Sequence, residues 1–303
     1  MDANLRRAVA RRLAETGGGS TDTAVEVAAA VPVAGGSINR AFRVDLADGR
    51  RLFAKAHAAA PGAMFEREAE GLAALAAAGA LRVPRDPLPG AAEGVAFLVM
   101  EWIEPGRPGA GFFERFGRAF ARLHRAGSEG RRFGFPHDNW LGSTPQPNGW
   151  TESWVGFWRE RRLGHQLRLA RENGLSDRTL DRLGDRLLAR LGEWIDLPGE
   201  PPCLLHGDLW GGNYLADERG EPVVIDPACY YGHREADLAM TRLFGGFAPA
   251  FYAAYEEEWP LPPGSEERLA VYELYHLLNH LNLFGRSYRG RCAAVLERLV
   301  GPG

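Results

Sequence analysis

Apolar and polar residues follow two different periods along this chain. Residues 41–46 and 51–55 alternate apolar and polar side chains on either side of a polar turn at 47–50, which is typical of a β-hairpin. The apolar run 95–103 predicts a buried strand. From residue 112 onward, apolar residues recur every three or four positions, as they do on one face of a helix. The pattern therefore predicts a small antiparallel sheet followed by a mostly helical region.

Helices are also predicted before the first strand and between two strands of the sheet. Residues 1–16 form an amphipathic pattern that ends at a flexible Gly-Gly-Gly-Ser joint, and another helix begins near Met64. In the second part of the chain, helices are expected at 112–127, 154–173, 177–195, 234–247 and 266–284. We therefore expect an α+β protein in two parts, residues 1–102 and residues 103–303.

Composition and charge narrow the class of protein. The chain has 303 residues and a formal net charge of -3, which gives no general attraction to nucleic acid or to anionic membranes. No apolar run is long enough to cross a bilayer, and a cytoplasmic location is the expectation. The three cysteines are odd in number and form no Cys-x-x-Cys pair, which argues against a disulfide framework. Oligomeric state cannot be read from the sequence.

The octapeptide His-Gly-Asp-Leu-Trp-Gly-Gly-Asn at 206–213 carries the strongest chemical signal. Asp208 is followed after four residues by Asn213, and Asp226 ends an apolar run further along. A kinase catalytic loop has an Asp, four residues and a metal-binding Asn, with a second metal-binding Asp downstream. The spacing therefore predicts a phosphotransferase that uses a metal-bound nucleotide.

Each residue type suits a different part of that chemistry. Asp226 would bind Mg²⁺ between the phosphates, and the amide oxygen of Asn213 would complete the metal shell. Asp208 would orient the acceptor hydroxyl and take its proton. Residues 214–225 read as two short strands around a polar turn, which would bring Asn213 and Asp226 together. His206 is expected to brace the loop.

A kinase-like site also needs upstream groups that bind the nucleotide. Gly35, Gly36 and Ser37 lie in a turn-rich segment before the first alternating strand, and the two glycines would let the backbone approach phosphates closely. A full Gly-x-Gly-x-x-Gly loop is absent, so this part of the signal is weak on its own.

Lys55 ends a predicted strand and would pair with the nucleotide phosphates. A glutamate on the helix that begins near Met64 would hold Lys55 in place. Glu66, Glu68 and Glu70 all compete for this role, and spacing alone does not choose among them.

The end of the 95–103 run predicts the adenine site. The strand breaks into Glu-Pro-Gly, as the last strand of a nucleotide lobe does where it enters a hinge. Backbone groups near Glu101 and Ile103 would hydrogen-bond adenine, with Met100 at the back of the pocket.

Together these segments resemble the fructosamine kinase (ketosamine kinase) family, in the aminoglycoside-phosphotransferase branch of the protein-kinase-like fold. The resemblance covers about residues 20 to 295. It is carried by Gly-Gly-Ser-Ile-Asn at 35–39, Met-Phe-Glu-Arg-Glu-Ala-Glu-Gly-Leu at 64–72, Leu-Arg-Val-Pro at 81–84, the Phe-Gly to Thr-Pro-Gln stretch at 133–146, the octapeptide at 206–213, and Asp-Pro-Ala at 226–228 with 231–240.

The resemblance implies a bilobal α+β fold, with a small antiparallel-sheet nucleotide lobe and a larger, mostly helical lobe. It implies ATP and Mg²⁺ as cofactors and phosphorylation of a sugar hydroxyl, the 3-hydroxyl, on a ketoamine such as a fructosamine or ribulosamine. The acceptor would be a small molecule or a protein-bound adduct, and the reaction would serve deglycation. The family motif points to Glu68 as the partner of Lys55. Some relatives carry Cys where this chain has Ser37, so a thiol switch is not expected there.

Acceptor contacts are expected near the catalytic loop. Trp210 could stack on the acceptor or pack into the core, and the sequence favours neither. His233 and Glu235 are candidate acceptor contacts, whereas Asp237 more readily caps or braces the next helix. The polar segment 133–150 is either an acceptor-site loop or a structural wrap.

Two alternatives remain at the level of function. The same machinery could phosphorylate another alcohol, such as an aminoglycoside or an amino alcohol. A catalytically silent kinase-like binding protein is the other possibility. Such a protein could lose any one of the residues needed for catalysis, whereas this chain has all of Lys55, Glu68, Asp208, Asn213 and Asp226.

Overall fold

The computed structural model describes residues 1–16, 25–34, 39–58, 63–92, 94–127 and 132–301. The chain forms two compact units. The first consists of residues 1–112 with 212–227, and the second of residues 113–211 with 228–303.

A five-stranded antiparallel sheet dominates the first unit. Its strands are β1 (Val27–Val33), β2 (Arg40–Leu46), β3 (Arg51–Ala58), β4 (Leu88–Ala92) and β5 (Val95–Glu101), in the order β1-β2-β3-β5-β4. Helix α1 (Ala3–Thr16) precedes the sheet, and α2 (Met64–Ala78) connects β3 to β4. The predicted strands and both predicted helices are confirmed.

Alternation along the strands builds the core of this unit. Phe42 and Val44 of β2 are buried, whereas Arg43 between them is only partly buried. The buried β2 side chains form one cluster with Leu5 and Val9 of α1. The amphipathic first helix therefore covers the apolar face of the sheet, as its sequence pattern requires.

A two-stranded hairpin from later in the chain belongs to the same unit. Strands β9 (Tyr214–Ala216) and β10 (Pro222–Val224) pair in antiparallel register. The predicted hairpin is thus present. The division expected at residue 102 placed it in the second part of the chain, whereas in the structure it groups with residues 1–112. Residues 103–112 group with the first unit as well.

The second unit is mostly helical. Its helices are α3 (Phe112–Ala126), α4 (Trp154–Trp158), α5 (Gly164–Glu172), α6 (Arg178–Arg190), α7 (Gly192–Ile195), α8 (Glu235–Arg242), α9 (Pro249–Glu258), α10 (Ser265–Phe284) and α11 (Arg289–Val300). A π-helical turn joins α4 to α5, and short strand pairs β6 (Asn139–Leu141) with β7 (Thr144–Gln146) and β8 (Cys203–Leu205) with β11 (Tyr230–Gly232) complete the unit.

One predicted helix is shorter than its pattern suggested. The helix expected at 234–247 ends at Arg242, because Leu243 is already extended, with a ψ of 159°. Phe244 and Gly245 then adopt left-handed backbone, with φ of 52° and 105°, so the helix does not resume. The chain then starts α9 at Pro249, which is well suited to a first helical position.

The three cysteines are buried free thiols. Within the described ranges, no helix combines the length and apolar character needed to cross a membrane.

Candidate active site

Lys55 is a buried lysine that lies between two carboxylates of the first unit. Its Nζ is 2.5 Å from Oε1 of Glu68 and 2.8 Å from Oδ1 of Asp226. Burial lowers the pKa of Lys55, but the two carboxylates outweigh it and raise the pKa overall. Burial raises the pKa of Glu68 to about 7, against the opposing effect of Lys55. The lysine is therefore held charged and in one position.

Local structure selects Glu68 from its two competitors. Glu68 lies three residues after the buried Phe65 and so shares its face of α2, while the Phe65 ring lies 5.9 Å from Lys55 Nζ. Glu66 is exposed, and Glu70 forms an ion pair with Arg67 within the helix. Neither is the partner of Lys55 in this structure.

The β9–β10 hairpin places Asn213 and Asp226 at the same end. Tyr214 pairs with Val224, and the amide of Ile225 donates to the carbonyl oxygen of Asn213 at 3.0 Å. Asn213 is buried, whereas the Asp226 side chain is 42% exposed. Asp226 also has a φ of 55°, an uncommon conformation for a residue other than glycine.

These two side chains suit a hard cation. Carboxylate and amide oxygens are ligands that Mg²⁺ prefers, and protein sites for it commonly use one or two carboxylates with the phosphates of a nucleotide. Strained backbone at a charged, half-exposed residue is typical of functional sites. Asn213 and Asp226 therefore fit the metal role that the sequence predicted. The contact between Asp226 and Lys55 was not foreseen, because nothing in the spacing of two residues so far apart in the chain indicates it.

The predicted catalytic loop belongs to the second unit and is anchored from α8. The buried Asp237 carboxylate accepts hydrogen bonds from the amides of His206 at 2.7 Å and Gly207 at 2.8 Å. Gly207 has a φ of 82°, and a Cβ there would lie 2.1 Å from the carbonyl oxygen of Ala228. Only glycine fits this position, and the loop geometry leading to Asp208 is fixed by it.

Two histidines support this anchor. The ring of His124 is fully buried, with Nε2 3.2 Å from Asp237. Nδ1 of His206 accepts a hydrogen bond from the amide of Asp208 at 3.3 Å, the bracing position that the sequence suggested. Burial raises the pKa of Asp237, but hydrogen bonds and the nearby histidines lower it overall, which keeps the carboxylate ionised. Asp208 itself is half-buried.

The structure specifies the predicted hinge further at Glu101. Met100 and Ile103 are buried, as expected for the edge of a nucleotide pocket. The amide of Glu101 donates to the carbonyl of Arg85 at 3.0 Å, because β5 is still engaged at this residue. This N–H group is therefore committed to the fold, and the adenine contact proposed at Glu101 is limited to its carbonyl.

Two of the three candidate acceptor contacts are also revised. His233 is buried, with its ring 5.3 Å from Phe133 and 4.7 Å from Trp154. The Glu235 carboxylate is fully buried in a two-point ion pair with Arg268, at 2.7 and 2.8 Å. Both side chains support the helical unit and do not face an acceptor.

Trp210 differs from these two residues. Its side chain is 38% exposed and meets the edge of Phe244 at 6.4 Å. An exposed indole two residues after Asp208 can stack against a ligand, so the acceptor hypothesis for Trp210 is retained.

The polar segment 133–150 forms a buried hydrogen-bond network. The side-chain amide of Asn139 donates to the carbonyl of Cys229 at 2.9 Å, and that of Gln146 donates to the carbonyl of Ala228 at 3.1 Å. Gln146 also donates to Asn139 at 2.7 Å. Asn139 and Gln146 are therefore structural, and an acceptor role for the exposed residues 136–138 stays a prediction.

Gly35, Gly36 and Ser37 lie outside the described residues. Their predicted part in phosphate binding stays a prediction.

Comparison with known proteins places this site in context. A sequence model described as fructosamine kinase matches residues 8–301. "Probable ketoamine kinase slr1563" of Synechocystis sp. is 43% identical over 278 residues, which cover 88% of this chain and 89% of that protein. "Protein-ribulosamine 3-kinase, chloroplastic" of Arabidopsis thaliana is 41% identical over 266 residues, 88% of this chain and 80% of that protein. A crystal structure assigned to a fructosamine-3-kinase of Haemophilus somnus superposes with a TM-score of 0.87 at 28% identity, covering 99% of this chain and 100% of that chain.

Proposed function

The chain belongs to the fructosamine kinase family, and we propose that it transfers the γ-phosphoryl group of ATP to a sugar hydroxyl of a ketoamine. The proposed acceptor atom is the 3-hydroxyl of a fructosamine or ribulosamine, in keeping with the names of its relatives. The observation that carries the proposal is the position of Lys55 between Glu68 and Asp226 in a chain that matches the family over almost its whole length.

The first unit supplies the nucleotide-binding groups in this proposal. Lys55 binds the phosphates once the nucleotide is present, and Glu68 keeps it oriented. Asn213 and Asp226 would hold Mg²⁺, and that ion would supply positive charge against the charge that develops on the phosphate oxygens. Met100, the carbonyl of Glu101 and the backbone of Ile103 contact adenine.

The second unit supplies the groups that act on the acceptor. Asp208 orients the sugar hydroxyl and takes its proton as the new O–P bond forms, while the bond from the γ-phosphorus to the bridging oxygen breaks and ADP leaves. Trp210 stacks against the acceptor. A phosphorylated ketoamine is prone to break down to the free amine, so the reaction serves deglycation.

The direct test is magnesium-dependent ATP consumption by the purified protein. The panel contains fructosyl-, ribulosyl- and erythrulosyl-lysine, with kanamycin and choline as non-ketoamine alcohols. Turnover on the ketoamines alone is expected, and the ranking of the sugars then defines the acceptor. Turnover on kanamycin or choline alone would refute the ketoamine assignment, and binding of magnesium ATP without turnover on the whole panel would favour a silent binding protein.

Asp208→Asn should separate chemistry from nucleotide binding. Loss of the general base is expected to lower kcat by about 100- to 10,000-fold, while magnesium ATP still binds. Asp196→Asn, which changes an exposed carboxylate of the same unit, is the matched control and should retain full turnover. An Asp208→Asn protein with unchanged kcat would remove Asp208 as the base.

A further inference from the structure

Arg82 connects two parts of the first unit that are far apart in the chain. It lies in the 81–84 segment between α2 and β4, for which the proposed mechanism has no role. Its carbonyl accepts a hydrogen bond from the amide of Val224 at 3.0 Å, and it forms a parallel bridge with Val223. The backbone of Arg82 therefore holds strand β10, two residues before Asp226.

The side chain of Arg82 extends this connection in two directions. One guanidinium nitrogen donates to Oδ2 of Asp217 at 2.5 Å, and the other donates to Oε1 of Glu101 at 3.0 Å. Asp217 lies in the turn between β9 and β10, whereas Glu101 ends β5 where the proposed adenine contacts begin. Arg82 thus connects the β9–β10 hairpin to the proposed hinge.

Asp217 is the more deeply buried of the two carboxylates that pair with Arg82. It is 2% exposed and accepts hydrogen bonds from the amides of Arg219 and Glu221, both at 2.9 Å. A buried carboxylate that loses its cation is costly, whereas an exposed ion pair contributes little. The Arg82 side chain is 33% exposed and lines a charged surface depression of about 680 Å³, whereas the Asp217 side chain is 3% exposed and that of Glu101 is 15% exposed.

The opposite side of the turn is held by the segment that follows the hinge. The amide of Gly106 donates to the carbonyl of Ala216 at 2.8 Å, and a Cβ on Gly106 would lie 2.0 Å from the carbonyl oxygen of Asp217. The hairpin turn is therefore enclosed between Arg82 and residue 106, both of which adjoin elements of the proposed nucleotide site.

We propose that Arg82 is a positioning residue, which fixes the β9–β10 hairpin against the hinge and so sets where Asn213 and Asp226 present their oxygens to the metal-bound nucleotide. The inference rests on the proposed function for its catalytic consequence. Arg82 binds neither nucleotide nor metal; it acts through Asp217 and through the backbone of β10.

Arg85 offers a matched control. It forms an ion pair with the same Glu101, at 3.1 Å, and its side chain is 77% exposed. Among the described residues, Asp217 pairs with Arg82 and not with Arg85. Arg82→Gln and Arg85→Gln thus remove the same charge from neighbouring sites, and only the first removes a contact with the hairpin.

The first measurement is hydrogen exchange of the amides from residue 214 to residue 224, with no ligand added. Arg82→Gln should speed exchange in this hairpin by about tenfold or more, which corresponds to the loss of roughly 1.4 kcal/mol of local stability. Arg85→Gln should leave the hairpin unchanged. Equal hairpin protection in Arg82→Gln and wild type would overturn the proposal, whatever the activity.

The second measurement is the magnesium concentration that half-saturates ATP binding, together with kcat and the KM of the acceptor. Arg82→Gln should raise the magnesium requirement and lower kcat by about 10-fold, the lower end of the effect of residues that orient metal ligands, with the acceptor KM retained. Arg82→Lys should recover part of the loss, since a point charge still reaches Asp217.

The outcomes separate this proposal from the proposed function. Faster hairpin exchange with an unchanged magnesium requirement and unchanged kcat would reduce Arg82 to a stabilising residue and overturn its positioning role. A wild-type protein that binds no magnesium ATP would refute the proposed function, and the exchange data would still decide whether Arg82 holds the hairpin.

Discussion

Lys55 shows how burial and charge compete at a single residue. A lysine with 3% of its surface exposed would ordinarily lose affinity for its proton. Glu68 and Asp226 reverse this effect, because each lies within 2.8 Å of the ammonium group. In the proposed reaction, the lysine is therefore already desolvated and charged before the nucleotide binds. The binding of the phosphates does not have to supply the free energy for burying this cation.

Glu68→Gln tests this arrangement. Without the Glu68 charge, Lys55 is left with Asp226 as its carboxylate partner, and it is drawn away from the phosphate-binding position. We expect kcat/KM for ATP to fall on the order of 10- to 100-fold, the size of effect that misplacement by about 1 Å produces. Steady-state kinetics with saturating acceptor measure this.

The neighbouring glutamates provide the controls for that variant. Glu66→Gln and Glu70→Gln change the same residue type on the same helix, but their side chains are exposed or paired with Arg67. Both should keep wild-type kcat/KM. Loss of activity in either to the same extent as Glu68→Gln would show that the helix, and not the ion pair, determines the result.

Trp210→Ala should act on the acceptor and not on ATP. Because the indole is exposed beside the catalytic loop, its loss removes a stacking surface worth roughly 0.5–1.5 kcal/mol, or about 2- to 10-fold in the acceptor KM. Val31→Ala, an exposed apolar residue of the first unit, is the control. An effect confined to the KM of ATP would contradict the stacking hypothesis.

At the scale of elements, helix α8 anchors the predicted catalytic loop through the carboxylate of Asp237. Asp237→Asn leaves an amide group facing the amides of His206 and Gly207, which are both donors. We expect a stability loss of about 1–3 kcal/mol, because one buried backbone donor is left without an acceptor. We also expect a lower kcat with ATP affinity retained, measured by urea unfolding and by kinetics at a temperature where the variant is folded.

Glu235→Gln is the matched variant on the same helix. Its carboxylate is also buried, but it binds Arg268 and not the loop. This variant should lose stability without a specific loss of kcat. If both variants lowered kcat equally after correction for the folded fraction, the anchoring role of Asp237 would be refuted.

The sequence predicted the elements whose signals are local. Strand β2 alternates strictly, with Phe42 and Val44 on the buried face, so period and turn residues suffice to place it. The β9–β10 hairpin was equally accessible, because its short apolar runs flank a polar turn. Asp208 and Asn213 could be singled out because their spacing is fixed by one loop.

Long-range pairings were beyond such reasoning. The contact of Lys55 with Asp226 spans 171 positions, and the contacts of Asp237 with the loop span about thirty. The burial of Glu235 depends on Arg268 of α10, which no local pattern indicates. The helix expected at 234–247 failed for a different reason, since its apolar period continued past residues that adopt left-handed backbone.

At the scale of the whole molecule, the chain divides the proposed machinery between its two units. Lys55, Glu68, Asn213 and Asp226 belong to one, and Asp208 and Trp210 to the other. The chain crosses between them three times, after Phe112, after Gly211 and after Pro227. Variants in the first unit should therefore report on nucleotide binding, and variants in the second on the acceptor and on proton transfer.

Buried histidines of the second unit should make the molecule sensitive to acid. Burial lowers the pKa of His233 to about 3, with Arg268 and Arg234 adding to the effect, and burial likewise lowers the pKa of His276 to about 3. In the unfolded chain these groups titrate near 6.5. Between pH 6.5 and 3 the unfolded state binds more protons, so the free energy of unfolding falls as the pH falls.

His233→Phe isolates one of these contributions. Phenylalanine keeps an aromatic ring against Phe133 and Trp154 but cannot take up a proton. The free energy of unfolding should drop less between pH 7 and pH 5 than in wild type, by about 2 kcal/mol for one histidine. Urea unfolding at the two pH values measures the difference, and His137→Phe, at an exposed position, is the control. Equal pH dependence in His233→Phe and wild type would mean that His233 titrates alike in the folded and unfolded states, and that the acid sensitivity of the helical unit has another source.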